Sequence, residues 1–348
     1  MPLTTTQELE TYLASKGIRY KLVEVLTGGA GNFVWRITLP SGEERVVKHH
    51  EPYVKNSPSI PFSVDRMEFE ADALSNVSHI VDTIQLTGDA PVVLVPTLHY
   101  SDLEAHVLIM DYAGPSNLKA WYPSATATLV PSIGSTLGVW LAQLHHRTLN
   151  TKSRDNVTAR GIYRYAYSNL SLAFEKHGLD VRFAKSIDAE FGSKLATDDV
   201  CQCHGDFWPG NVLVQEENGS MKLSIVDWEM TRRGIGSTDV AQFAAEAYLL
   251  DRFCGGKGLL KAFLEAYVEA ARKNGQIGGR EEKEEFVKRA IVHFGVHIAF
   301  WPVGVKWCEE EETKELGLFA KGFMEAGRSV NWAKIEEGPL SPLLGLLE

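Results

Sequence analysis

Asp206 and Asn211 stand five residues apart in His204-Gly205-Asp206-Phe207-Trp208-Pro209-Gly210-Asn211, a loop rich in turn formers. Val212-Leu213-Val214 then reads as a strand, Glu217-Asn218-Gly219 as a turn, and Leu223-Ser224-Ile225-Val226 as a second strand running into Asp227. A hairpin returns the end of its second strand to the start of its first, so Asp206, Asn211 and Asp227 converge on one point. Hard oxygen donors of this kind suit Mg²⁺, a cation that keeps waters and shares phosphate oxygens. A carboxylate left off the metal can orient a hydroxyl for attack. Phosphoryl transfer requires this set: a metal clamp, a positioned nucleophile and little covalent chemistry.

The rest of the chain supplies elements to hold these groups. Residues 7–16 carry helical spacing behind a Thr4-Thr5-Thr6 start. Residues 20–26, 33–39 and 43–49 alternate like strands, with Pro40-Ser41-Gly42 as a hairpin turn between the last two. Residues 65–77 read as a helix begun by Ser63 or Asp65, and 92–95 and 105–110 as further strands. After residue 112 the pattern turns helical, over 131–147, 161–177, 180–195, 239–253, 257–273, 281–300 and 311–326. The expected architecture is α+β and two-lobed: residues 1–112 β-rich, residues 113–348 mainly helical, with a hinge at about 110–115. A cleft between two lobes is a favoured binding place.

Composition narrows the function. The chain has 348 residues and a formal net charge of −10, which argues against general affinity for nucleic acid. No run approaches the ~18 apolar residues of a membrane span, and residues 1–17 lack the basic-then-apolar order of a signal peptide. Four cysteines in a chain this long make no disulfide scaffold, so a cytoplasmic setting is expected. Cys201-Gln202-Cys203-His204 lacks a second Cys/His pair at ligand spacing, which disfavours zinc, and His204 is expected to brace the loop instead. Nothing in the sequence sets an oligomeric state.

His204-x-Asp206-x4-Asn211 followed by Asp227 resembles the catalytic loop and metal-binding Asp of the aminoglycoside phosphotransferase and choline kinase superfamily, small-molecule kinases of protein-kinase-like fold. The resemblance implies ATP and Mg²⁺ as cofactors. It implies Asp206 as catalytic base, and Asn211 and Asp227 as metal ligands. Gly28-Gly29-Ala30-Gly31-Asn32 resembles the nucleotide-covering loop, Lys48 the phosphate-contacting lysine, and Glu70 its helix partner, with Glu68 as the alternative. Met110-Asp111-Tyr112 resembles the adenine-reading hinge, Leu144-His145 the end of the first large-lobe helix, and Asp239 the structural Asp after the metal loop. The small lobe is similar to methylthioribose kinase, where an acidic residue at the place of Glu229 can assist the metal. The Phe207-Trp208-Pro209-Gly210 wording looks more like fungal-type phosphotransferases.

The acceptor implied is a small molecule with a hydroxyl: sugar-like, an amino-alcohol or aminoglycoside-like. In this superfamily C-terminal helices line the acceptor pocket, which makes His293, His297, Trp301 and Trp307 the candidates for substrate contact. Two other readings stand beside this one. A catalytically silent nucleotide-binding protein would keep the fold without turnover. A protein kinase would carry Asp-Phe-Gly and Ala-Pro-Glu, whereas Asp227 is followed by Trp228-Glu229 and Ala-Pro-Glu is absent.

Overall fold

The computed structural model describes residues 2–81, 84–85, 90–152, 154–217 and 220–348. The principal strands are β1 (Leu22–Val25), β2 (Phe33–Thr38), β3 (Glu44–His49), β4 (Val92–Leu94), β5 (Leu98–Asp102), β6 (Val107–Asp111), β7 (Cys201–Cys203), β8 (Val212–Glu217), β9 (Ser220–Ile225) and β10 (Arg232–Gly234). The principal helices are α1 (Thr6–Ser15), α2 (Arg66–Ile80), α3 (Val130–Arg147), α4 (Ser237–Phe253), α5 (Leu259–Asn274), α6 (Arg280–Phe300) and α7 (Glu310–Arg328). The architecture is the expected α+β, with a sheet-built N-terminal region and a helical C-terminal one.

Strands β1-β2-β3-β6-β5 form one antiparallel sheet in that order. Trp35, Ile37, Val47, Val107 and Ile109 bury one face of it against Leu9 and Leu13 of α1. A capping box starts α1: the Thr5 side chain accepts from the Glu8 amide, and the Glu8 carboxylate accepts from the Thr5 amide. Helix α2 begins at Asp65, one of the two expected starts, although the Asp65 side chain makes no capping bond.

The helical region rests on α3 packed against α5. The approach is close enough that a Cβ on Gly138 would lie 2.3 Å from the Phe263 carbonyl oxygen, so only glycine fits there. The β8-β9 hairpin belongs to this region, and β4 pairs with β9 in parallel, Leu223 opposite Val93. A strand from early in the chain thus braces the hairpin that carries Asp227. The expected turn at 217–219 falls at residues 218–219, outside those described.

Two expected helices are broken. Residues 157–177 form three short helices, Val157–Tyr163, Tyr165–Ser168 and Leu170–His177, and the bends let Tyr163 and Tyr167 both stack on His293. Beyond Ile187 the next helix widens into a π turn at Asp188–Gly192, where Gly192 sits against Tyr167. Tertiary contacts override local spacing in both. Among the described residues no helix is long and apolar enough to cross a membrane.

Candidate active site

The catalytic loop leaves β7, which is held antiparallel to β10, at His204. Asp239, in the first turn of α4 and fully buried, accepts the His204 amide at 2.7 Å and the Gly205 amide at 3.1 Å. Burial opposes its ionisation, but His145, 3.3 Å away, outweighs that and holds its carboxyl below the usual range. Gly205 turns the chain at φ +88°, where a Cβ would meet the Met230 carbonyl oxygen at 1.9 Å. His204 braces the loop as expected. Its Nε2 lies 3.0 Å from the Val226 carbonyl, and its Nδ1 accepts the Asp206 amide at 3.2 Å. Burial pulls its pKa down to about 4, so the ring is neutral and can do both.

Asp206 is delivered into the cleft with three neutral donors. Gln242 Nε2 lies 2.6 Å from Oδ1, and Asn211 Nδ2 and Trp208 Nε1 lie 2.9 and 3.3 Å from Oδ2. Burial, and then the charge of Asp227, push its pKa up to about 7. Asn211 also donates to the Asp206 carbonyl at 2.9 Å, and its own carbonyl takes the Val226 amide at 3.0 Å. With its amide nitrogen turned to Asp206, the side-chain oxygen of Asn211 is the end free to meet a cation.

Asp227 follows β9 in left-handed backbone, φ +66°. Its Oδ1 receives Lys48 Nζ at 2.5 Å, while the side chain keeps 37% exposure toward the cleft. Lys48, inward-facing on β3, also pairs with Glu70 at 2.7 Å. Burial would lower the Lys48 pKa, but Asp227, Glu70 and Glu229 outweigh it and hold the amine charged. Glu68 is not the partner: it faces solvent and pairs with Arg154 at 2.5 Å. The donor set fits Mg²⁺, with one carboxylate oxygen of Asp227 and the carboxamide oxygen of Asn211 available to it.

Three expected site residues have protein partners of their own. Glu229 Oε2 accepts Asn32 Nδ2 at 2.8 Å and Arg66 Nε at 3.2 Å, with His50 Nε2 at 3.5 Å. Asn32 is itself buried, its carbonyl oxygen taking Arg66 Nη2 at 2.8 Å, so its side chain faces the interior and not a nucleotide. Asp111 is a bracket. Its amide donates to Thr97 O at 3.0 Å, and its carboxylate binds Arg45 at 2.9 Å and His99 at 2.6 Å. Gly28 and Gly29 have open space around them, and Gly31 is tied to the Lys55 amide at 3.2 Å.

Beyond Asp206, where substrate contact was expected, α4 and α6 pack against each other. His293 is stacked between Tyr163 and Tyr167, with Nε2 3.0 Å from the Tyr163 hydroxyl. That hydroxyl donates to Gln242 Oε1 at 3.2 Å, which links His293 to Asp206 through Gln242. His297, one turn along, pairs with Glu246 at 2.9 Å, and Glu246 also holds Lys119 at 3.0 Å. The Lys119 amine lies 4.0 Å from the Trp307 ring and 5.1 Å from the Trp208 ring. Trp301 sits at the rim, 39% exposed, its ring 6.1 Å from that of His297. Sequence reading missed Gln242, Glu246, Lys119 and Arg66. Gln242 carried a usable signal, since it follows Asp239 by one helical turn.

A sheet-built lobe over a helical one, with a lysine–glutamate pair facing an Asp/Asn/Asp cluster, defines a protein-kinase-like phosphotransferase. The chain belongs to the phosphotransferase enzyme family, whose model matches residues 23–282. It is 26% identical to a 4-hydroxytryptamine kinase of Psilocybe cyanescens, over 94% of each chain. It is 23% identical to the phosphotransferase FrzJ of a Cladobotryum species, over 70% of this chain and 74% of that one. Among solved structures it resembles a Plasmodium vivax ethanolamine kinase, with TM-score 0.54, 11% identity and coverage of 94% and 92%. It also resembles a type I macrolide 2′-phosphotransferase, with TM-score 0.50, 15% identity and coverage of 94% and 98%. The protein is a small-molecule kinase with a hydroxyl acceptor.

Proposed function

We propose that the enzyme moves the γ-phosphate of Mg·ATP to a hydroxyl on a small hydroxylated aromatic amine. The observation that carries the transfer chemistry is the single cluster in which Lys48 meets Asp227 at 2.5 Å while Asn211 bridges to Asp206 at 2.9 Å. Bound Mg²⁺ supplies charge neutralisation of the phosphates. Asp227 and Asn211 would hold it, Lys48 would hold phosphate oxygens, and Glu70 orients Lys48. Residues 1–112 act as the nucleotide lobe and 113–348 as the acceptor lobe. The glycine loop at 28–31 covers the triphosphate and the Met110–Tyr112 strand end meets the adenine.

Asp206 aligns the acceptor hydroxyl and takes its proton as the phosphoryl group leaves. Gln242, Asn211 and Trp208 keep its carboxylate aimed. Positioning and electrostatics supply most of the acceleration. The relative acting on 4-hydroxytryptamine supports the aromatic amine. Aromatic surface is at hand near Asp206: the Trp208 and Trp307 rings flank the Lys119 amine, which Glu246 holds at 3.0 Å one turn, ~6 Å, from Gln242.

ADP release from Mg·ATP, measured against hydroxytryptamines, choline, ethanolamine, methylthioribose and an aminoglycoside, tests the reading. Turnover on the hydroxylated aromatic amine, lost in Asp206→Asn, is expected. Preference for a sugar or an aliphatic alcohol would refute the acceptor class.

A further inference from the structure

We propose that Cys201, Cys203 and His145 form a binding site for one thiophilic divalent cation, of the zinc or cadmium kind, behind the catalytic loop. The sequence offered His204 as the neighbour of the two thiols, but the fold selects another histidine. Cys201 and Cys203 are alternate residues of β7 and share a face. His145, from the end of α3, completes the group, with one ligand atom of each residue within 4.8 Å of the others. All three are buried, at 2%, 0% and 0% exposure.

Soft sulfur with imidazole is the donor set that selects such cations. Two thiolates cancel the charge of the ion, so binding releases two thiol protons to solvent and leaves the site neutral. An entry path exists. A cavity of about 450 Å³ is lined by Cys201, Gly236 and Gln276, with Glu281, Glu282 and Glu285 also on its walls to attract a cation. Gln276 is 7% exposed and its Oε1 has no hydrogen-bond partner. Its Nε2 donates at 2.8 Å to the Tyr267 hydroxyl, which lies 3.0 Å from His145 Nδ1.

Occupation reaches the catalytic loop. Both ring nitrogens of His145 are engaged, with Tyr267 at 3.0 Å and Asp239 at 3.3 Å, so ligation must release one. Asp239 is the residue that holds the His204 and Gly205 amides.

Titrating the reduced full-length protein with Co²⁺ alone tests the site. One equivalent is expected to bring in thiolate-to-metal charge-transfer absorption, which Cd²⁺ or Zn²⁺ then bleaches. The band is expected to vanish in Cys201→Ser and in Cys203→Ser and to persist in a Cys254→Ser/Cys308→Ser double variant. A wild type without the band, a band that survives both single substitutions, or one lost in the double variant would overturn the site. Should the single variants fail to fold, X-ray absorption of the Zn²⁺-loaded wild type decides. Two sulfurs at about 2.3 Å and a nitrogen at about 2.0 Å are expected, and an oxygen shell refutes it.

Discussion

Two carboxylates near the cleft, Glu229 buried and Asp206 half-buried, are treated in opposite ways. Glu229 is met by the Arg66 guanidinium, the Asn32 amide and His50, and lies 3.8 Å from Lys48. Burial opposes its ionisation, yet the Lys48 charge, the hydrogen bond from His50 and the Arg66 charge hold its carboxyl well below the ordinary range. Asp206 has only neutral donors and a neighbouring negative charge, and its carboxyl is pushed up to about 7. Where charge is cancelled the carboxylate is scaffold. Where it is left uncancelled the carboxylate keeps an affinity for a proton, which a base requires.

The contrast breaks first at Asp206. Asp206→Asn keeps the shape and removes the proposed base, and turnover is expected to fall by about 10²–10⁴-fold. Nucleotide affinity, which the proposed function assigns to Lys48, Asn211 and Asp227, is expected to stay within about threefold by calorimetric titration, a change under 1 kcal/mol. A drop in turnover of less than tenfold would remove Asp206 from the proton's path.

Next comes the scaffold carboxylate. Arg66→Met removes a hydrogen-bonded guanidinium from the buried Glu229, and a loss of about 3–5 kcal/mol in urea unfolding is expected. Adding Glu229→Gln to Arg66→Met should recover part of that loss, because the two residues form one interaction. Additive losses would show that the pair is not coupled.

The pH response sharpens the comparison. The Asp206 carboxyl is raised in the folded state, so its proton stabilises the fold at low pH, and that contribution is lost as pH climbs from about 4 to about 7. The melting temperature of Asp206→Asn relative to wild type should therefore rise between pH 5 and pH 8. Glu229, whose carboxyl is lowered, has the opposite sign: it stabilises above its unfolded pKa of ~4.3 and loses that contribution only in stronger acid. A flat difference between wild type and Asp206→Asn would contradict the raised carboxyl.

How much of this was legible follows from which interactions are local. Asp206, Asn211 and Asp227 were readable because one hairpin brings them together, and β8 and β9 formed where the alternation placed them. Lys48 and Glu70 were readable because a strand and the next helix must face each other, and Glu68 points elsewhere. The Glu229–Arg66 pair was not readable, because the two lie 163 residues apart and no spacing announces a charge pair of that separation. Strand β5 was missed although Leu98-His99-Tyr100-Ser101-Asp102 alternates half-buried with exposed: it is short, only Leu98 and Tyr100 are apolar, and its pairing with β6 holds it. The breaks after Tyr163 and Ser168 were invisible because they serve contacts with His293, on α6.

The smallest expected effect separates rim from floor on the acceptor side. Trp307 is half-buried with the Lys119 amine 4.0 Å from its ring, and Lys119 in turn is held by Glu246, so its removal disturbs a charge that α4 positions. Trp301 is 39% exposed and touches Phe300 and His297 only through ring contacts at 5.2 and 6.1 Å. His297 keeps its 2.9 Å bond to Glu246 whether or not Trp301 is present. Trp301→Ala is therefore expected to change stability by about 0.5 kcal/mol or less, as surface substitutions do, and the acceptor KM by about twofold, the same energy. Steady-state kinetics of Trp301→Ala and Trp307→Ala, with the proposed amine acceptor varied at saturating Mg·ATP, make the check, the larger rise in KM being expected for Trp307→Ala. A tenfold rise in KM for Trp301→Ala would move the acceptor outward, away from the Gln242–Glu246 face of α4 and onto the lip of the cleft.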